Sequence, residues 1–292
     1  LTSPPMVAAK SRFPDPSPAP GAALPLARTG QDLSDLLTKA IVHGRTSSVP
    51  AAKLIVAPVS GLEVCGPVLG SAFANLANRG GVIRRVVLLA PARTALRGAV
   101  VPAGDAVATP IGGTPLDRAV LDGLARLPDV GVDVRDMAEE PGIVSVLPML
   151  QVCLGDFRLA PVLIGSMQPH AVAAMLARVW GGPETLIVIA SDLSHHLPED
   201  RARAFDQETR GIVETLSGDL LTTARADGHR IIAGALLRAA ALDLRVTGLD
   251  FRLSSTGPGR ARGHGAFAFE PAQGARLGAP ERRFLLRAAA QA

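Results

Sequence analysis

Short apolar runs rich in β-branched residues recur along this chain at residues 53–57, 86–89, 160–164 and 186–190, separated by segments long enough to form helices. That alternation constrains the fold more than any other feature. A strand that is apolar throughout must be covered on both faces, and parallel strands need crossovers of a dozen residues or more, which helices supply. The expected architecture is one α/β domain with a mixed, mostly parallel sheet flanked by helices. Helices are predicted over 31–43, 66–76, 116–127, 143–154 around Pro148, 170–180, 198–216 and 231–242. Further extended pieces are predicted at 98–102, 132–134, 245–251 and 265–269.

Composition narrows the class of function. With 48% hydrophobic residues in 292, the chain can build a substantial core, yet aromatics are only 3% and tyrosine is absent, so aliphatic side chains and alanine must fill it. Such a surface offers few platforms for base stacking. The net charge of +4 is spread among interspersed acids with no dense basic block, so no nucleic-acid partner is expected. Lys10, Lys39 and Lys53 are the only lysines, and the Arg, Ala, Gly and Pro richness points to a GC-rich bacterial genome. Cys65 and Cys153 form no CxxC and read as buried small hydrophobes. No apolar run reaches the length of a membrane span, so no membrane partner and a cytoplasmic location are expected. The expected organisation is a Pro-rich segment over 1–28, an α/β domain over 29–270, and an extension over 271–292.

The chemistry concentrates where the run Leu186-Ile187-Val188-Ile189-Ala190 gives way to Ser191-Asp192-Leu193-Ser194-His195-His196. Ligands of open α/β sheets bind beyond the carboxyl ends of strands, so this carboxylate and these imidazoles stand on active-site ground. A carboxylate three residues before a histidine can orient it, share a metal with it or fix its protonation state. Asp192 also reads as a cap on the following helix, with His195 and His196 at a wet helix entrance.

Read in order, several pieces resemble the Memo family, protein B of the AmmeMemoRadiSam system, whose fold is akin to class III extradiol, non-haem-iron dioxygenases. They are Ser191-Asp192-Leu193-Ser194-His195-His196-Leu197-Pro198, a Cys65-Gly66-Pro67-Val68 turn matching the family's SGPV, Leu147-Pro148, and the closing stretch 263–269. The resemblance covers about residues 6 to 270. It implies a single Memo-like domain, a metal-binding cleft, and partners in the A component or the radical-SAM protein of the same system.

The departures from the family pattern decide the expected function. The histidine of the family's PHAGY falls on Val59, which has no donor atom, and that of GPSH falls on Arg93, a permanent cation. The family's cysteine falls on Asp227, and its EHSLEVQLP becomes residues 140–148 of this chain, without histidine, inner glutamate or glutamine. Asp192, His195, His196 and His229 remain as candidate catalytic residues, and Val59, Arg93 and Asp227 mark cleft positions where family ligands are replaced. The expectation is a degraded metal site in a non-catalytic or ligand- and partner-binding protein, with no cofactor. The alternative is a metal-dependent oxidoreductase or hydrolase holding iron, copper or zinc on Asp192, His195, Asp227 and His229. Arg93 is expected either to pair with Asp192 or Asp227 in place of the metal or to bind an anionic ligand. His43, His170 and His264 read as structural. The stretch 279–290 reads either as a helix docked on its own sheet or as the opening helix of a fused A component.

Overall fold

The computed structural model describes residues 29–44, 52–76, 79–133 and 137–272. The Pro-rich 1–28 segment and the helix expected at 279–290 lie outside the described residues. The chain opens with α1 (Gly30–Val42), which is held at its start by the Thr29 hydroxyl accepting from the Asp32 amide at 3.1 Å. Leu33, Leu37 and Ile41, four residues apart, are its buried stripe. Next come β1 (Leu54–Ala57), α2 (Leu62–Phe73), β2 (Arg85–Pro91), β3 (Ala99–Pro102), and a small hairpin of β4 (Ala106–Thr109) and β5 (Gly112–Pro115). The chain continues through α3 (Arg118–Leu124), β6 (Val130–Asp133), α4 (Pro141–Val144), α5 (Leu147–Leu154), β7 (Arg158–Ile164) and α6 (Pro169–Val179). It closes with β8 (Thr185–Ala190), α7 (Glu199–Glu214), α8 (His229–Ala241), β9 (Leu244–Gly257) and β10 (Arg260–Pro271).

The main sheet runs β6-β3-β7-β2-β8-β1-β10-β9. Its centre is parallel, β7 with β2, β2 with β8 and β8 with β1, as is β6 with β3; β3 with β7, β1 with β10 and β10 with β9 are antiparallel. This is the mixed, mostly parallel α/β domain that the alternation predicts. Helices cover both faces, which is why β1 and β8 are buried at every position. Alpha2 packs on β9 and β10 from one side and α7 from the other, while α6 and α8 pair with each other.

Three local expectations change. Cys65-Gly66-Pro67-Val68 is no turn but the middle of α2, where Pro67 forfeits one helical N–H without ending the helix. The span 143–154 divides into α4 and α5, because Pro148 fits the first turn of a new helix far better than the interior of an old one. The late strands are one long hairpin, β9–β10, of 14 and 12 residues, roughly twice the length predicted for each.

Candidate functional site at the carboxyl ends of the strands

The central parallel strands β1 and β8 end side by side, with Ala57 opposite Ala190 and the Ser191 amide still bonded to the Ala57 carbonyl at 2.9 Å. The residues that follow each strand therefore meet. Beta10 runs antiparallel on the far side of β1, so the beginning of β10 arrives at the same end of the sheet. The 191–197 segment zips onto it through Leu193 N–H to the Gly263 carbonyl, 2.9 Å, and Gly263 N–H to the Ser194 carbonyl, 2.8 Å.

This junction encloses Asp192 completely. Its Oδ1 accepts from the Val59 amide at 3.1 Å and from His264 Nδ1 at 3.0 Å. Its Oδ2 accepts from Ser60 Oγ at 2.7 Å and Arg262 Nη1 at 3.3 Å. Burial on its own drives a carboxyl pKa up. Here the hydrogen bond and charge of His264, then Ser60 and Arg262, outweigh it and hold Asp192 below the ordinary value. Asp192 is thus an ionised, buried carboxylate with both oxygens engaged twice, and it is not a helix cap: α7 begins at Glu199.

A second pair lies alongside. His195 Nε2 is 3.0 Å from Asp227 Oδ1, both half-buried. The Asp227 hydrogen bond is the main reason that the His195 pKa is raised; burial works against it. Local backbone contacts bring Asp227 there. The Asp227 amide donates to the Asp192 carbonyl at 3.2 Å and the Gly228 amide to Ser191 Oγ at 2.9 Å, so the turn before α8 is pinned to the end of β8. His229, the first residue of α8, is half-buried, and burial followed by the nearby Arg230 lowers its pKa. Asp227, Gly228, His229 and Arg230 form one wall of a cavity of about 270 Å³, and the 91–96 and 164–166 loops beyond β2 and β7 form the other.

The crevice over β2 and β8 is closed from above by α4. A Cβ on Gly142 would stand 2.5 Å from Ala90 Cβ and 3.3 Å from Ala190 Cβ, so only glycine lets α4 rest on those two strand ends. Ile143 beside it is fully buried, and Ser145 Oγ bonds the Val59 carbonyl at 2.6 Å. The Val59 side chain itself is buried within the core.

The structure brings Val59, Asp192, His195, Asp227 and His229 to one end of the sheet. Arg93 is exposed in the loop after β2, and neither expected ion pair forms: Asp192 takes Arg262 as its guanidinium and Asp227 takes His195. Loop residues such as Arg93 have no register to aim them, whereas Arg262 is held by the β9–β10 ladder. His196 is also exposed; it adopts φ +54°, and its carbonyl accepts from Arg260 Nη1 at 2.6 Å. His264, Arg262 and Ser60 are the contacts that sequence reasoning missed. For Arg262 and His264 the signal is the alternation Arg262-Gly263-His264-Gly265, polar residues on one face and glycines on the other; for Ser60 there is only its place just after β1. His43 caps α1 and His170 is exposed on α6. Both cysteines are buried; burial pushes Cys65 up, with the Asp192 charge adding to it, and raises Cys153 to about 12. Among the described residues no group of three or more His, Cys, Asp or Glu side chains is placed to hold a metal ion, and no helix is long and apolar enough to cross a membrane.

Residues 24–247 match the family described as Memo-like protein. The chain belongs to the Memo family. Among its curated relatives, a MEMO1 family protein of Methanopyrus kandleri is 30% identical over 164 residues, 53% of this chain and 57% of the relative. One of Aquifex aeolicus is 30% identical over 143 residues, 47% and 53% of the two chains. One of Methanobrevibacter smithii is 27% identical over 160, 52% and 56%. The chain therefore spans a little over half the length of the curated relatives it matches. A crystal structure of an uncharacterized Escherichia coli K12 protein, JW3007, overlays on 68% of this chain and 92% of its own with a TM-score of 0.46 and 14% identity.

Proposed function

We propose that this Memo-family member uses the cavity between the 91–96 loop and the start of α8 to bind a small ligand without a metal, and that this cavity serves binding rather than catalysis in the B protein of its system. The saturation of Asp192 carries the reading. A carboxylate that ligates iron, copper or zinc must spend lone pairs on the ion, whereas here an amide, a hydroxyl, a guanidinium and an imidazole take them. The donors that would complete a facial triad do not fit either. Val59 offers none, Arg93 is a cation, and His195 Nε2 already faces Asp227; the Nδ1 atoms of His195 and His229 have no partner, but among the described residues they do not converge with a third donor on one point. Alpha4 fills the space above β2 and β8 with apolar side chains. The cavity between the 91–96 loop and the start of α8, with Arg230 and His229 on its wall, supports a ligand of small, anionic character.

Titration calorimetry with iron(II), copper(II) and zinc(II) on the full chain tests the first half. No near-stoichiometric binding is expected; one tightly held ion per chain, lost in Asp192→Asn, would overturn it. The second half is read from thermal melts with inorganic phosphate and citrate. A concentration-dependent rise that Arg230→Ala removes is expected, and no rise with either anion would count against an anion-binding cavity. Co-purification with the radical-SAM protein of the same system tests the partner assignment.

A further inference from the structure

Asp192 does more than hold a loop in place, because the imidazole it grips continues to a hydroxyl. His264 Nδ1 is 3.0 Å from Asp192 Oδ1, and His264 Nε2 is 2.7 Å from Ser254 Oγ. We propose that Ser254, His264 and Asp192 constitute a nucleophilic relay, a site separate from the ligand cavity, with Ser254 reactive toward small activated esters that carry an anionic group. The inference goes beyond the ligand-binding reading and needs nothing in that cavity.

Each member has the environment its role requires. Asp192 is ionised and fully buried, so it can only accept, and Nδ1 of His264 must carry a proton toward it. In the neutral ring Nε2 is then left as the acceptor for the Ser254 hydroxyl. His264 is itself buried, with no freedom to turn away, while Ser254 is only partly covered. The long hairpin produces this arrangement. Arg262 pairs across the ladder with Ser254 and Arg252 pairs with His264, so all four side chains share one face, the face on which Ser71 of α2 bonds Asp250. The ligand cavity is built instead from α8 and the loops after β2 and β7.

The charges beside the relay define the substrate class. Directly opposed residues on an antiparallel pair have Cβ atoms about 5 Å apart, which puts the Arg262 side chain next to Ser254. Its guanidinium, 3.3 Å from Asp192 Oδ2, is largely covered, and Arg252, half-exposed, stands on the same face. Arg252 is 3.5 Å from Asp250 and Arg262 is paired with Asp192, so each charge is already matched; the guanidinium N–H groups not spent on those carboxylates are what would hold an ester's carboxylate or phosphate and a carbonyl oxygen gaining negative charge. In the acyl-transfer step, Ser254 Oγ forms a bond to the ester carbonyl carbon while its proton passes to His264 Nε2. The tetrahedral adduct then breaks its bond to the leaving oxygen, which takes that proton, and water repeats the sequence to release the acid.

The experiment uses the full chain, a fluorophosphonate probe, p-nitrophenyl acetate and the anionic mono-p-nitrophenyl ester of succinic acid, the last expected to react faster than the acetate. The expected results are a covalent adduct mapped to Ser254 by peptide mass spectrometry and a burst of p-nitrophenolate. Ser254→Ala takes the hydroxyl partner from buried His264 Nε2 and is expected to lower the melting temperature by a few degrees; assayed well below that temperature, it removes both. His264→Gln slows labelling by roughly 100-fold or more, the usual contribution of a general base. Ser255→Ala, a neighbouring exposed hydroxyl, labels like the parent. Absence of a Ser254 adduct in the parent protein, or an equal rate of probe incorporation in Ser254→Ala, overturns the proposal, and neither result bears on metal or anion binding.

Discussion

The residue that organises the strand-end junction is Asp192, and the cost of disturbing it depends on which partner is removed. Arg262→Met keeps most of the packing of the long side chain but takes a cation from a fully buried carboxylate. Breaking a buried pair from one side costs about 3 to 5 kcal/mol. Since three other donors remain, the expected loss lies toward the lower end, and chemical denaturation against the parent protein measures it. Arg93→Ala, at an exposed position, is expected to change stability by less than about 0.5 kcal/mol. A large effect there would relocate the ion pair. The second pair makes a prediction readable by NMR. Asp227 is the chief reason that His195 titrates above its ordinary value, so Asp227→Asn should move the His195 midpoint down, and an unmoved midpoint would mean that the 3.0 Å contact is not held in solution. The chemistry of Ser191–His196 was legible in the sequence because a carboxylate and imidazoles directly follow an apolar strand. The partners of Asp192 were not. Arg262 and His264 lie 70 and 72 residues away, and only the register of β10 against β1 makes them neighbours.

At the scale of elements, the shortest α-helix among the described residues, α4, determines how much space is left over the ends of β2 and β8. Alpha4 occupies the position where the family pattern places polar residues, and it approaches β2 and β8 closely enough that Gly142 has no room for a side chain. Gly142→Ala should force α4 off the strand ends and destabilise the fold by about 1 to 3 kcal/mol, as overpacking does. A melt indistinguishable from the parent would show that α4 is free to lift. The helices and central strands were visible in the sequence because their periodicities are strong, and boundaries shifted by only a few residues. The β4–β5 hairpin was not, since Gly112-Gly113-Thr114-Pro115 carries almost none of the residues that favour strands. The length of β9–β10 was hidden for a related reason. Gly263 and Gly265 weaken the strand pattern of β10, yet both are needed: a Cβ at 263 would overlap the Asp206 carboxylate, and one at 265 would come within 2.6 Å of Leu193 and 2.9 Å of Phe251. Glycines that read as breakers are spaces reserved for side chains from α7, the 191–197 segment and β9.

At the scale of the whole molecule, the junction ties together the end of β8, the loop after β1 and the start of β10, so its charge state should set how the domain tolerates acid. Asp192 has a folded-state pKa below the ordinary carboxylate value. Its contribution is therefore fully present above the unfolded-state pKa of about 4 and is lost as pH falls through the lower folded value. His195 acts in the opposite sense, because its folded pKa is raised. Its contribution is complete below about 6.5 and is lost as pH rises through the folded value. Both are present together between about 4 and 6.5, so removing each group should alter a different limb of the stability profile. Asp192→Asn should be less stable than the parent at neutral pH, where the parent's carboxylate is ionised and held by Arg262 and His264. The two curves should converge as pH falls below 4, where the parent protonates the same group. His195→Gln should leave that acid limb unchanged and flatten the decline above pH 6.5. Urea midpoints across the pH range decide the matter: acid limbs that run parallel for the parent and Asp192→Asn would mean that the carboxylate contributes nothing to acid tolerance, however completely it is enclosed.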